Sequence, residues 1–305
     1  MQDQTLSWLK VNGFSIALGK QLKWPDDYFS LVYSINFTQY KRHNYPVFEG
    51  GGVLLGVSNN FSMKIALQRS SVYDPIFPRS GSNFIASVQL TPPYSLINPG
   101  LVYSDDPYKK PEYHKWRFTA EWYVPIGRPL GAEKNRQFVL KLAAKYGFMG
   151  RYNKKLDYSP FEDSNWVMQV LPNNFGLLGY DIIAHRGYPV YQSSDPSINP
   201  DQSSATRFFT IFNKYQVELR YPLVTNPGST IYGLAFFEAA NGWYNYQDYN
   251  PFRLRRSVGS WYAILPANVY GLLGFDYGIG LDRITPGGGL KNASKFTFML
   301  GFEPE

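Results

Sequence analysis

The sequence contains no cysteine, which excludes a disulfide scaffold, a thiolate metal site and a cysteine nucleophile. Histidine is nearly as scarce. His43, His114 and His185 stand apart, and none has an acid at a spacing that suggests hydrolysis or metal binding. Charged residues make only 17% of 305, and the +7 excess is spread without a compact basic run. The densest stretch, Arg253-Leu254-Arg255-Arg256, is no nucleic-acid footprint, so no nucleic-acid partner is expected. Gly287-Gly288-Gly289 lacks the following Lys-Ser/Thr and helix of a phosphate loop. The sequence predicts neither an enzyme nor a cofactor.

Long apolar helical runs are missing too. The uncharged stretch 257–275 is interrupted by Pro266, Asn268, Gly271 and Gly274, and the stretch 80–104 holds three prolines. No apolar targeting segment follows the polar start Met1-Gln2-Asp3-Gln4, so any such segment is expected outside these residues.

Aromatic residues are abundant: 25 Tyr, 22 Phe and 7 Trp, so that Tyr alone outnumbers the 23 acids. With 27 Gly and 22 Pro, the chain is rich in strand formers and turn punctuation. Apolar residues recur with a period of two. Phe29, Leu31, Tyr33, Ile35 and Phe37 alternate with Ser30, Ser34, Asn36 and Thr38; Tyr215, Val217, Leu219 and Tyr221 alternate with Lys214, Gln216, Glu218 and Arg220. The same alternation marks 14–19, 61–68, 84–90, 115–124, 138–146 and 295–302, and weaker strands are expected at 231–245, 255–265 and 272–282. About eleven amphipathic strands result.

A soluble sandwich and a transmembrane barrel share this pattern. Many segments reach ten residues or more, enough to cross a bilayer at a tilt, whereas sandwich strands run about 5–6. Aromatic pairs at strand ends (Tyr28-Phe29, Trp122-Tyr123, Trp243-Tyr244, Trp261-Tyr262) read as interfacial girdles. Short turns at 24–27, 77–81, 222–228 and 266–271 alternate with longer loops at 41–57, 94–113, 152–207, 246–254 and 284–294. Short turns on one side and long loops on the other are the mark of an outer-membrane barrel. The fold class is therefore all-β, an antiparallel transmembrane β-barrel. With an odd strand number both edge strands point the same way, and such a sheet cannot close antiparallel. An open sheet with edges at 14–24 and 295–302 is expected, unless one strand is miscounted.

The connection 152–207 is long and rich in apolar residues, among them Phe161, Trp166, Leu171, Phe175 and Ile182. It is expected to dock into the lumen of a single barrel domain over 1–305. Its centre reads Asp181-Ile-Ile-Ala-His-Arg186-Gly187-Tyr188. Arg186-Gly187-Tyr188 resembles the loop motif of the BamA family of outer-membrane assembly proteins. Further segments resemble that family's Bacteroidetes branch, including Ile76-Phe-Pro-Arg-Ser-Gly-Ser82, Glu121-Trp-Tyr-Val-Pro125, Glu218-Leu-Arg-Tyr-Pro222 and Tyr232-Gly-Leu-Ala-Phe-Phe-Glu238. The chain departs from the family at His185, where an aliphatic residue is usual; this imidazole either tunes the arginine or is a spectator.

The resemblance implies a sixteen-strand barrel preceded by periplasmic POTRA domains, of which this chain is an incomplete part, similar to strands six to sixteen. It implies that Glu218 and Glu238 hold the loop arginine inside the lumen. It also implies that a final gate strand, with Phe296, Phe298, Leu300, Gly301 and Phe302, nucleates pairing of client strands. The expected place is the outer membrane of a Gram-negative bacterium. The expected partners are client outer-membrane proteins, outer-membrane lipids and accessory assembly-complex subunits. A passive pore with a basic lumen, or a translocator of the two-partner-secretion or TamA type, are the alternatives.

Overall fold

A computed structural model describes residues 8–46, 53–74, 77–98, 100, 110–131, 136–150, 152–153, 181–182, 185–188, 208–209, 211–226, 229–243, 247, 249–266, 272–282 and 294–301. The strands are β1 (Trp8–Gln21), β2 (Phe29–Pro46), β3 (Val53–Ser70), β4 (Gly81–Leu90), β5 (His114–Leu130) and β6 (Arg136–Gly150). They continue as β7 (Asp181–Ile182), β8 (Phe208–Phe209), β9 (Ile211–Asn226), β10 (Ser229–Trp243), β11 (Arg255–Pro266), β12 (Leu272–Gly280) and β13 (Ser294–Gly301). A one-turn helix, α1 (Tyr94–Ile97), follows β4.

Eleven strands form one antiparallel sheet in the order β1-β2-β3-β4-β5-β6-β9-β10-β11-β12-β13, and β7 and β8 pair separately. Every neighbour in the large sheet follows from the alternating pattern, because each strand has one apolar face to turn to lipid and one polar face to turn inward. Strand β9 shows this most plainly. Tyr215, Val217 and Leu219 are 43%, 41% and 42% exposed, whereas Gln216, Glu218 and Arg220 between them are 4%, 3% and 1% exposed. The outer face is an apolar belt. The inner face is covered along β9 to β11, whereas β1 is exposed on both faces.

The sheet is open. Among the described residues β1 is paired with β2 alone and β13 with β12 alone. Two loop boundaries differ from the sequence reading. The stretch 41–57 is mostly strand, since β2 runs to Pro46 and β3 starts at Val53, leaving a short connection. The run Lys41-Arg42-His43-Asn44 is polar throughout, so the alternation that betrays a strand is absent there. Similarly, Pro222 does not begin a turn: β9 continues to Asn226, and the ladder shifts register between Ile231 and Tyr232, opposite Pro222 and Val224. Proline, with no N–H to donate, is tolerated at such an irregularity.

The aromatic girdle is also half of what the pairs suggested. Trp122 and Tyr262 are exposed, but their neighbours Tyr123 and Trp261 are buried, and so is Trp243. Adjacent strand residues face opposite ways, so Trp122-Tyr123 and Trp261-Tyr262 each send one ring to lipid and one inward. The inward rings form the apolar part of the interior: Tyr123, Tyr232, Phe236 and Trp261 cluster with Phe77, Val139, Leu234 and Ala263.

Candidate functional site

Among the described residues, the inner faces of β9 to β12 carry most of the buried charge. Strand parity places Lys214, Gln216, Glu218 and Arg220 in a row on β9, and register sets Phe236 beside Glu218 and Glu238 beside Gln216 on β10. The turn 185–188, closed by the Tyr188 N–H donating to the His185 carbonyl at 3.2 Å, lies against this surface.

Arg186 is the centre. Its backbone N–H donates to Glu238 Oε2 at 3.1 Å and its Nε to Glu238 Oε1 at 2.6 Å, while one terminal nitrogen reaches Glu218 Oε1 at 2.5 Å. A guanidinium offers a planar fork of donors, and two carboxylates from neighbouring strands satisfy it here. Each acid is itself shared. Arg220 donates to Glu218 Oε2 at 2.6 Å, and Gln216 Nε2 and Lys214 Nζ approach Glu238 at 2.7 and 3.7 Å. Asp276, buried on β12, faces the same group of charges. Three cations, Arg186, Arg220 and Lys214, thus meet three carboxyl groups. The Arg186 guanidinium also stacks over the Phe236 ring at 3.7 Å from its centroid, a desolvated cation–π contact.

Gly187 has φ +86, and a Cβ there would stand 3.0 Å from the backbone of Ile279 and Gly280. The opposing position on β12 is Gly278, where a Cβ would stand 2.5 Å from the Gly187 nitrogen. Turn and strand can touch backbone to backbone only because neither has a side chain at the contact. Tyr188 then closes the far side. Its hydroxyl donates to the Arg256 carbonyl at 2.8 Å and accepts from the Asp282 N–H at 3.1 Å. Asp282 is paired with Arg256 at 2.7 Å; burial raises its carboxyl, but the Arg256 bonds outweigh that and hold it below the usual range.

His185 Nε2 lies 3.2 Å from Ser257 Oγ. Burial pushes the imidazole down to about 3, with Lys214, Arg186 and Arg255 adding to the shift against Glu238, so the ring is neutral at physiological pH. The pair is no open catalytic dyad: both residues are 2% exposed or less, and His185 Nδ1 has no hydrogen-bond partner among the described residues. No group of three or more His, Asp or Glu among the described residues could hold a metal.

Of the residues named for the gate, Phe296, Phe298, Leu300 and Gly301 lie on the sheet's last strand. Phe296 and Phe298 are exposed on the outer face, and Leu300 and Gly301 pair with Leu273 and Leu272. Phe302 lies outside the described residues, as does most of the apolar content of the loop 152–207. Parity placed Gln216 and Asp276 on the inner face but did not connect them with Arg186, and the inward glycines Gly274, Gly278 and Gly280 that flank Asp276 on β12 were missed, although every second residue of that strand is small or acidic.

The matching family model is that of the Omp85 superfamily domain, over residues 9–294. No curated protein matches the chain. Among solved structures, the chain is similar to BamA from Haemophilus ducreyi, in a crystal structure lacking POTRA domains 1-3, with a TM-score of 0.58 and 15% identity. That match covers 96% of this chain and 54% of the other, so the chain spans about half the length of its structural neighbour. No helix among the described residues is long and apolar enough to cross a membrane. With a match over nearly its whole length, the chain belongs to the Omp85 superfamily, and its place is the outer membrane of a Gram-negative bacterium.

Proposed function

We propose that this chain is the barrel part of an assembly factor that helps client outer-membrane proteins fold and insert, by templating strand pairing at the β13 edge. The observation that carries the reading is the Omp85 superfamily match over residues 9–294, on a sheet similar in fold to BamA. Among the described residues β13 has a strand on one side only, while Phe296 and Phe298 direct its outer face to lipid. Unpaired N–H and C=O groups in hydrocarbon cost several kcal/mol each, so an incoming strand that pairs with them is strongly favoured. Such growth needs no ATP and no catalytic residue. The Arg186 cluster supports it by tying the turn 185–188 to β9 and β10, which keeps the sheet beside the edge in one curvature. Client barrels, outer-membrane lipids and accessory assembly subunits are the partners this role requires.

The test is folding of a urea-unfolded barrel protein into lipid vesicles with and without the full chain reconstituted in them. Faster appearance of heat-resistant, folded client supports assembly. Steady ion conductance without acceleration identifies a passive pore, and delivery of a soluble protein across the bilayer identifies a translocator.

A further inference from the structure

We infer that the segment 249–254, which leads into β11, is a strap on the outer wall that anchors the sheet in the outer leaflet of the bilayer through Phe252. Residue parity shows on which side the strap lies. On β9, Tyr215, Val217 and Leu219 face lipid and Asn213 shares their parity; on β10, Asn241 shares that of the exposed Phe237. The two asparagines are partners across the ladder, so a polar pair stands on the lipid-facing side. An amide without a partner is strongly disfavoured beside hydrocarbon. Here both are buried and the strap satisfies both. Asn241 Nδ2 donates to the Arg253 carbonyl at 2.6 Å, and Asn213 Nδ2 to the Tyr249 hydroxyl at 3.2 Å. Trp243, the next outward position of β10, is fully buried and meets Tyr249 edge-on at 5.0 Å. The strap therefore folds back over the outside of β9 and β10.

Its height on the wall identifies what it meets. Register sets Val217, Phe237 and Val258 in one outward row of the apolar belt. Tyr215, Ala239 and Arg256 form the next row towards the long loops, and Arg256 is paired there with Asp282 at 2.7 Å. A charge pair in the row of a tyrosine marks the passage from hydrocarbon to headgroups. The asparagine row under the strap lies two residues further, about 7 Å at ~3.4 Å per residue. Long loops lie on the outer side of such barrels, so these headgroups are those of the outer leaflet. Phe252 is 92% exposed on the strap, and the exposed Arg253 follows it. A closed turn presents the ring: the Phe252 N–H donates to Asn250 Oδ1 at 3.0 Å and the Arg253 N–H to the Asn250 carbonyl at 3.1 Å. A ring beside a guanidinium fits the boundary between acyl chains and phosphates, where the ring dips among the chains and the cation stays with the anionic headgroups. The contact lies wholly on the outer face and needs no closed barrel. It goes beyond the assembly reading and stands without it.

A nitroxide at Phe252→Cys tests the anchor, because the chain has no other cysteine to compete for the label. The full chain is placed in phosphatidylcholine–phosphatidylglycerol vesicles, and a nitroxide at Phe237→Cys, on the apolar belt, serves as the lipid reference and verifies insertion. In power saturation the label at 252 is expected to collide with dissolved oxygen more than with a water-soluble nickel chelate, by a smaller margin than the label at 237. A nickel preference equal to that of the same label on a free peptide in buffer would place the position in water and overturn the proposal. So would protection from the chelate that arises in native outer membranes but not in lipid vesicles, since it would assign the site to a protein partner.

Discussion

Arg186 grips Glu238 twice, with its backbone N–H on Oε2 and its side-chain Nε on Oε1, so that both the path of the turn and the direction of its side chain are fixed by one carboxylate. The loop is thereby registered on β10 rather than merely attracted to it. A second carboxylate, Glu218 on β9, takes the other end of the guanidinium.

Removal of Arg186 leaves two buried acids short of a partner. Arg186→Ala is expected to lose about 3–5 kcal/mol, the usual cost of breaking a desolvated pair, against 0–1 for an exposed one. The measurement is the folded fraction in a heat-modifiability gel. Pairing the change with Glu238→Gln should recover part of the loss, because one uncompensated charge then disappears. Wild-type folding of Arg186→Ala would place the arginine in solvent.

Gly278 is expected to be sensitive out of proportion to its size. A methyl group there collides with the Gly187 backbone, which has no flexible end to move aside. Gly278→Ala should cost about 1–3 kcal/mol by overpacking and release the turn. Protease sensitivity near residues 185–188 reports the release. Unchanged protection would mean that the turn does not rest on β12.

The pH response follows from His185. Burial holds its imidazole near 3, while the unfolded chain takes up the proton around 6.5. Between those values the unfolded state binds more protons, so stability falls as pH drops, by about 1.4 kcal/mol per unit for one group. His185→Val, which cannot titrate, should flatten the acid limb of a stability curve taken between pH 6.5 and 4. Identical slopes in the two proteins would show that the imidazole titrates normally.

Tyr188→Phe removes a hydroxyl that the Arg256 carbonyl and the Asp282 N–H both use. With those groups partly buried, a loss of about 1–3 kcal/mol is expected, with no change in charge. A shift of the unfolding midpoint in denaturant measures it.

The wall of the barrel was legible in the sequence because lipid imposes a period of two: all eleven sheet strands stand where alternation placed them. Legibility fails where the alternation breaks. At Lys41–Pro46 the strand opens with a run of polar residues, and its sequence reads as loop. Interior packing leaves less trace. Phe77 sits in a Pro-bearing turn, and nothing local tells that its partner is Tyr232, far along the chain. The cluster under the turn lies between these cases. Parity put Glu218 on the inner face, and only the resemblance of the loop motif connected it with Arg186. The glycine contact with β12 required coordinates, since a row of alternate glycines does not say what it receives.

Assembly at the free edge is the central claim, and a single cysteine tests it most directly, because the chain supplies no background thiol. Thr297→Cys on β13 is to be paired, in the native outer membrane, with single cysteines along the terminal strand of a client barrel arrested during folding. The account predicts a disulfide adduct at alternate client positions in one register, as antiparallel pairing requires. Adducts absent at every position, or spread equally over all of them while the client still folds, would contradict it.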